Sequence, residues 1–115
     1  MVLIMKKTLT ILGIAAGLVF GAATGVNAQN SKVRYADDQM KQMNYRHALE
    51  VYQEAYAKKP SYEVAKKTAE ASDTLREYDG AFAWWKTVVG YEEATEEDYA
   101  NMLRAGIQTG NFQKL

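Results

Sequence analysis

The chain has no cysteine, one proline and one histidine. Beyond residue 28 its glycines are Gly80, Gly90, Gly106 and Gly110. Without cysteine there can be no disulfide and no thiolate metal site, so the folded part must hold together by packing alone. A lone histidine, His47, leaves no HExxH or paired Cys/His motif, and neither a glycine-rich phosphate loop nor a GxSxG turn occurs. Catalysis needs positioned acid, base or nucleophile groups. The acidic pairs Glu92/Glu93 and Glu96/Asp98 are the candidates a hydrolase would use, and no motif surrounds them. The expectation is a non-enzyme with no cofactor and no metal. Charge of either sign is also not in excess: 14 basic and 14 acidic side chains give a net charge of +0. Nothing in that balance would draw nucleic acid or an acidic membrane surface.

Long apolar runs are missing too, with one informative exception. Lys6 and Lys7 precede an uncharged, mostly apolar stretch from Leu9 to Ala23, followed by small residues ending in Val26-Asn27-Ala28-Gln29. A positive start, an apolar middle and small residues before a cut describe a Sec-type signal peptide, with cleavage expected after Ala28. The alternative, a retained anchor, would need about 20 apolar residues to span a bilayer. The stretch is shorter and is interrupted by Gly13, Gly17, Gly21 and Gly25. No cysteine near the cut allows a lipoprotein anchor. Residues 1–28 are thus assigned to a signal peptide and 29–115 to a helical domain with no membrane span. Loss of Lys6 and Lys7 with the signal leaves the domain at a net charge of −2.

What remains reads as helix. Tyr45, Ala48, Leu49, Tyr52, Ala55 and Tyr56 recur at three and four residues, as do Tyr78, Ala81, Phe82, Trp85, Val88 and Val89. The spacing predicts helices over about 31–43, 45–58, 62–76, 78–90 and 96–108, with another starting near Phe112. Pro60 lacks an N–H and pushes Lys59 out of the helical region, so the second helix ends before it. Ser61 is positioned to cap the third. Thr95-Glu96-Glu97-Asp98 resembles a capping box, and its acids sit at the positive end of the helix dipole. The acidic run Glu92, Glu93, Glu96, Glu97 and Asp98 is therefore expected to be a solvated cap. An EF-hand would need alternate ligands and a central glycine that this run lacks.

The helices repeat. At a period of 33, Ala36 aligns with Ala69, Tyr45 with Tyr78, Ala48 with Ala81, Tyr52 with Trp85 and Ala55 with Val88. Phe112 follows Tyr78 by 34 and opens a third copy. Repeats of this length, each two antiparallel helices, mark a helical solenoid. Ala36, Tyr45, Ala48, Tyr52, Ala55 and Pro60, with Ala69, Tyr78, Ala81, Trp85 and Val88 from the second copy, resemble the tetratricopeptide repeat family in order and spacing. Small residues at Ala48 and Ala81 would let paired helices approach closely, and Tyr52 and Trp85 would fill the space to the neighbouring pair. The fold expected is all-α, an antiparallel helix-pair solenoid of about two and a half repeats.

The resemblance implies function as well. In that family the first helix of each pair lines a concave side that holds a protein or peptide. Here that side would carry Asp37, Met40 and Lys41, then Lys66, Lys67, Glu70 and Asp73. Asp37 and Val33 stand where a carboxylate clamp would want Asn and Lys, so that activity is not carried over. An exported, periplasmic or outer-membrane-associated scaffold is expected, similar to the N-terminal segment of envelope proteins that join such repeats to an OmpA-like domain. The chain stops where another helix opens, which implies a missing C-terminal part. The competing expectation is a short structural protein that self-associates through its open end. Trp84 and Trp85 are both expected to pack rather than to stack on a ligand.

Overall fold

The computed structural model describes the backbone of residues 18–110 and the side chains of residues 30–110. Residues 1–17 and 111–115, which carry Lys6, Lys7, the start of the apolar stretch and Phe112, lie outside the described residues. The chain divides into two compact units, Met1–Ser31 and Lys32–Leu115. The described part of the first is helical backbone; the packing that follows belongs to the second.

Five helices and no strand are present among the described residues: α1 (Leu18–Lys41), α2 (Tyr45–Lys58), α3 (Tyr62–Thr74), α4 (Tyr78–Val89) and α5 (Glu96–Thr109). α1 begins well before residue 31, where sequence spacing had placed its start. No proline interrupts Leu18–Lys41, and Gly21 and Gly25 cost only about 1 kcal/mol each relative to alanine. The cut expected after Ala28 thus falls on helical backbone. None of the described helices is long and apolar enough to cross a membrane.

The helix ends follow local chemistry. Lys59 adopts an extended conformation ahead of Pro60, which ends α2. The Ser61 hydroxyl accepts from the Val64 N–H at 3.2 Å and caps α3. At α5 the capping box is complete: the Asp98 N–H donates to Thr95 Oγ1 at 3.2 Å, and the Thr95 N–H donates to Asp98 Oδ2 at 3.0 Å.

The turns inside the two helix pairs are copies of one another. Two residues past the ends of α1 and α3 stand Met43 and Arg76, both in the left-handed region at φ 66° and 60°. The Met43 N–H donates to Met40 O and the Arg76 N–H to Asp73 O; next, Asn44 N–H donates to Gln39 O and Glu77 N–H to Ser72 O. Each bond recurs 33 residues on. A left-handed residue that redirects the last free N–H groups onto the helix's final carbonyls is a common way to end a helix. Gly110 ends α5 at φ 75°, its N–H donating to Ile107 O, 34 residues after Arg76. These turns explain why α1 and α3 end two residues earlier than expected.

Packing repeats with the turns. Ala36, Ala48, Leu49, Val51, Tyr52 and Ala71 form one buried cluster, joined by Val33, Met40 and Leu75. Ala65, Ala69, Ala81, Trp85, Val88 and Ala105 form a second, flanked by Tyr56, Tyr62, Phe82, Trp84, Tyr91 and Met102. Each cluster joins a helix pair to the first helix of the next element. Ala36, Ala48, Ala55, Ala69, Ala81 and Val88 are all fully buried, and Tyr52 and Trp85 nearly so. Tyr45 and Tyr78 are only half-buried beside the turns, and Pro60 is exposed. Trp84 packs edge-to-face on Tyr56, with ring centroids 5.0 Å apart.

Two outcomes check this account. Met43 is exposed but strained, since a left-handed backbone costs an L-residue about 1–2 kcal/mol. Part of that is offset by the greater freedom of glycine in the unfolded chain. Met43→Gly should therefore raise stability by about 0.5–1 kcal/mol in urea unfolding. Trp85→Ala should lower it by about 3–5 kcal/mol; a loss under 1 kcal/mol would contradict its place in the second cluster.

Candidate interaction face

The first helix of each pair and α5 lie side by side, tied by ion pairs across their shared face. On α1, Asp37 receives Lys67 Nζ of α3 at 3.0 and 3.2 Å, and the Tyr52 hydroxyl of α2 donates to the same carboxylate. On α3, Lys66 Nζ lies 3.3 Å from Asp98 Oδ1 of α5, and Tyr62 Oη donates to Asp98 Oδ2 at 2.6 Å. Asp73 Oδ2 accepts from Trp85 Nε1 of α4 at 2.9 Å and lies 3.4 Å from the Arg104 guanidinium of α5. Arg104 also donates to Asn101 Oδ1 at 2.7 Å. The core aromatics therefore hold the acids of this face from behind while cations hold them from the side.

Electrostatics follow from that arrangement. Burial by itself would push the Asp98 carboxyl up, but hydrogen bonds from Tyr62, Thr95 and Lys66 outweigh it and hold the group below the usual carboxylate range. Burial pushes the Tyr52 phenol well up, and the bond to Asp37 adds to the effect. Glu70 stands exposed one turn along from Lys66 and Lys67. Desolvation raises its pKa, Lys66 and Lys67 pull against that rise, and the charges of Asp98 and Glu97 reinforce it.

The residues expected to line a binding side thus divide. Asp37, Lys66, Lys67 and Asp73 are brought together with partners on neighbouring helices. Met40 is partly buried and packs against the first cluster. Lys41 and Glu70 are exposed. The solvated-cap expectation holds for Glu92, Glu93, Glu96 and Glu97, which are exposed, but not for Asp98. Asp98 is 0% exposed and is the buried centre of the α3–α5 contact. Its partners lie 32 and 36 residues away in sequence, so its cap motif was visible locally and its burial was not.

His47 is on the outward side of α2, as expected, and its Nε2 lies 2.9 Å from the Tyr35 hydroxyl. A groove of about 610 Å³ opens beside it between the first turn, α2 and Leu75. Among the described residues no group of three or more histidine, aspartate or glutamate side chains is placed to hold a metal. Comparison with protein-family models, curated proteins and solved structures finds no match to the chain.

Asp98→Asn removes one side of a largely desolvated pair, with an expected loss of about 2–3 kcal/mol at neutral pH. A carboxyl harder to protonate in the folded than in the unfolded chain stabilises above its ordinary value, about 3.9, and loses that contribution as pH falls through the depressed folded value. Urea midpoints of the native chain and the variant should therefore differ near pH 7 and converge on acidification. A gap independent of pH would place Asp98 outside the network.

Proposed function

We propose that residues 29–115 form a tetratricopeptide-type scaffold, exported and non-catalytic, that holds a protein or peptide partner on the face shared by α1, α3 and α5. One observation carries the family part of the proposal: the same turn, with the same left-handed residue and the same two hydrogen bonds, recurs at Met43 and Arg76 and is begun again at Gly110. Two matching small-residue clusters accompany it. A chain that repeats backbone, turn and core at one interval behaves as stacked units, and such stacks present extended faces suited to binding. The alternation of acids and cations over that face suits a partner that carries both charges. Export rests on the sequence of residues 1–28.

A photo-crosslinking side chain placed at Glu70 tests the binding face, with one at Glu54 on the outward side of α2 as control. In the compartment where the protein accumulates, Glu70 should give an adduct of one defined mass and Glu54 none. Equal adducts from both positions, or none from Glu70, would count against the face. Intact mass of the recovered chain tests export separately: processing should leave Gln29 at the N-terminus.

A further inference from the structure

The one histidine of the chain meets a phenol. Tyr35 Oη of α1 lies 2.9 Å from His47 Nε2 in the first turn of α2. The two rings stand edge to face, with 86° between their planes and 5.5 Å between centroids. On the other edge of the imidazole, Nδ1 lies 3.9 Å from Glu50 Oε1. That is too long for a direct hydrogen bond, but a carboxylate so near favours an N–H on the nitrogen that faces it. The ring proton of neutral His47 therefore belongs on Nδ1, which leaves the Nε2 lone pair for the phenol. Tyr35 donates, and phenol, imidazole and carboxylate follow one another. A nucleophile held by a base that a third group orients is the arrangement that activates a hydroxyl.

The other tyrosines of the chain bond differently. Tyr52 and Tyr62 donate to Asp37 and Asp98, and a carboxylate is a weaker base than an imidazole. Burial pushes the Tyr52 phenol up, with Asp37 adding to it, and the bond to Asp98 pushes Tyr62 up. Tyr56 and Tyr91 share one bond, phenol to phenol, at 2.7 Å, and burial pushes Tyr91 up to about 12. Tyr99 is as open as Tyr35, 49% against 47% exposed, but its hydroxyl reaches only the Val89 carbonyl, at 3.5 Å. Tyr45 and Tyr78 are half-buried beside the turns. Tyr35 is thus the tyrosine that combines an open hydroxyl with an imidazole placed to take its proton. His47 is itself half-exposed and, with Glu50, lines the groove beside the first turn, so small molecules in solution reach the base.

We propose that Tyr35 is a nucleophilic site that accepts an acyl group from an activated acyl donor, with His47 as its general base. The donor class is an ester or thioester whose leaving group is a weaker base than a phenolate, because only then does transfer to a tyrosine run forward. The Tyr35 oxygen attacks the carbonyl carbon as its proton passes to Nε2 of His47. The bond to the leaving group then breaks, and the imidazolium gives the proton to that group. The acyl group stays on Tyr35 as an aryl ester, His47 is neutral again, and nothing is oxidised or reduced. The charge of Glu50 steadies the imidazolium while it exists. Each chain is acylated once, and the Tyr35–His47 hydrogen bond between α1 and α2 is lost with the phenol proton. No residue named for the binding face takes part, so the inference stands apart from the proposed function.

The test treats the full 115-residue chain with p-nitrophenyl acetate and follows acetylation of each tyrosine over time by peptide mass spectrometry. Tyr35 should be acetylated about tenfold faster than Tyr99 or more, since a positioned base contributes on the order of 10²-fold. Tyr99 is the equally exposed reference within the same molecule. His47→Gln keeps an acceptor for the phenol and loses the base, so it should bring the two rates together. His47 is exposed, so the helical circular dichroism of that variant should match the parent and separate loss of the base from loss of fold. Tyr35→Phe should abolish the fast phase of p-nitrophenolate release. Equal rates at Tyr35 and Tyr99 in the native chain, or a Tyr35 rate that His47→Gln leaves unchanged, would overturn the inference. So would fast p-nitrophenolate release that persists in Tyr35→Phe, since His47 would then be the nucleophile.

Discussion

The close approach of paired helices at fully buried alanines is the constraint on which the rest of the structure depends. Ala36 with Ala48, and Ala69 with Ala81, sit in the two cores with no exposed surface. Side chains this small let backbones come near enough for the large rings of Tyr52 and Trp85 to reach past them to the next helix. A bulkier residue at any of these four positions overpacks the contact, and well-packed cores resist added volume as firmly as they resist lost volume. The aromatic rings, the polar bonds they make and the order of the ion pairs all follow from that spacing.

The rings serve both the core and the face. Tyr52 and Trp85 are buried by their bodies and polar at their tips, and each tip ends on an acid: Asp37 for Tyr52, Asp73 for Trp85. Buried hydroxyl and indole groups need such partners, or they forfeit the hydrogen bonds they made with water. The same acids then receive Lys67 and Arg104 from the side. The equivalence is not strict, because Asp37 and Asp73 do not occupy matching repeat positions. The ring's need for an acceptor is met in both pairs from whichever acid lies in reach. Coupling of core to face in this way makes the arrangement of charge across α1, α3 and α5 a consequence of packing.

Much of this was legible in residue order. Helix periodicity, the stop at Pro60, the Ser61 and Thr95 caps and the interval of 33 are local or self-similar signals, and the five helices with their buried alanines and rings follow them. The departures have physical reasons. The left-handed turns at Met43 and Arg76 carry no glycine, so no residue type announced them, and the helices stop short of the expected ends. Met40 has helical spacing that suits either the core or the surface, and it is partly buried against the first cluster. Helical backbone already runs at Leu18, ahead of the expected start, and no proline interrupts it as far as Lys41.

Residue order by itself determined the helical class, the repeat interval, the lack of disulfides and the acids available to cap α5, because each depends on neighbours within a turn or on recurrence along the chain. Only the tertiary structure decided that Asp98 is buried under Lys66 and Tyr62, that Asp37 and Lys67 meet across thirty residues, and that Tyr99, Leu103 and Ile107 remain uncovered. Burial and long-range pairing are properties of which helices come to lie together, and spacing along a single helix does not contain them.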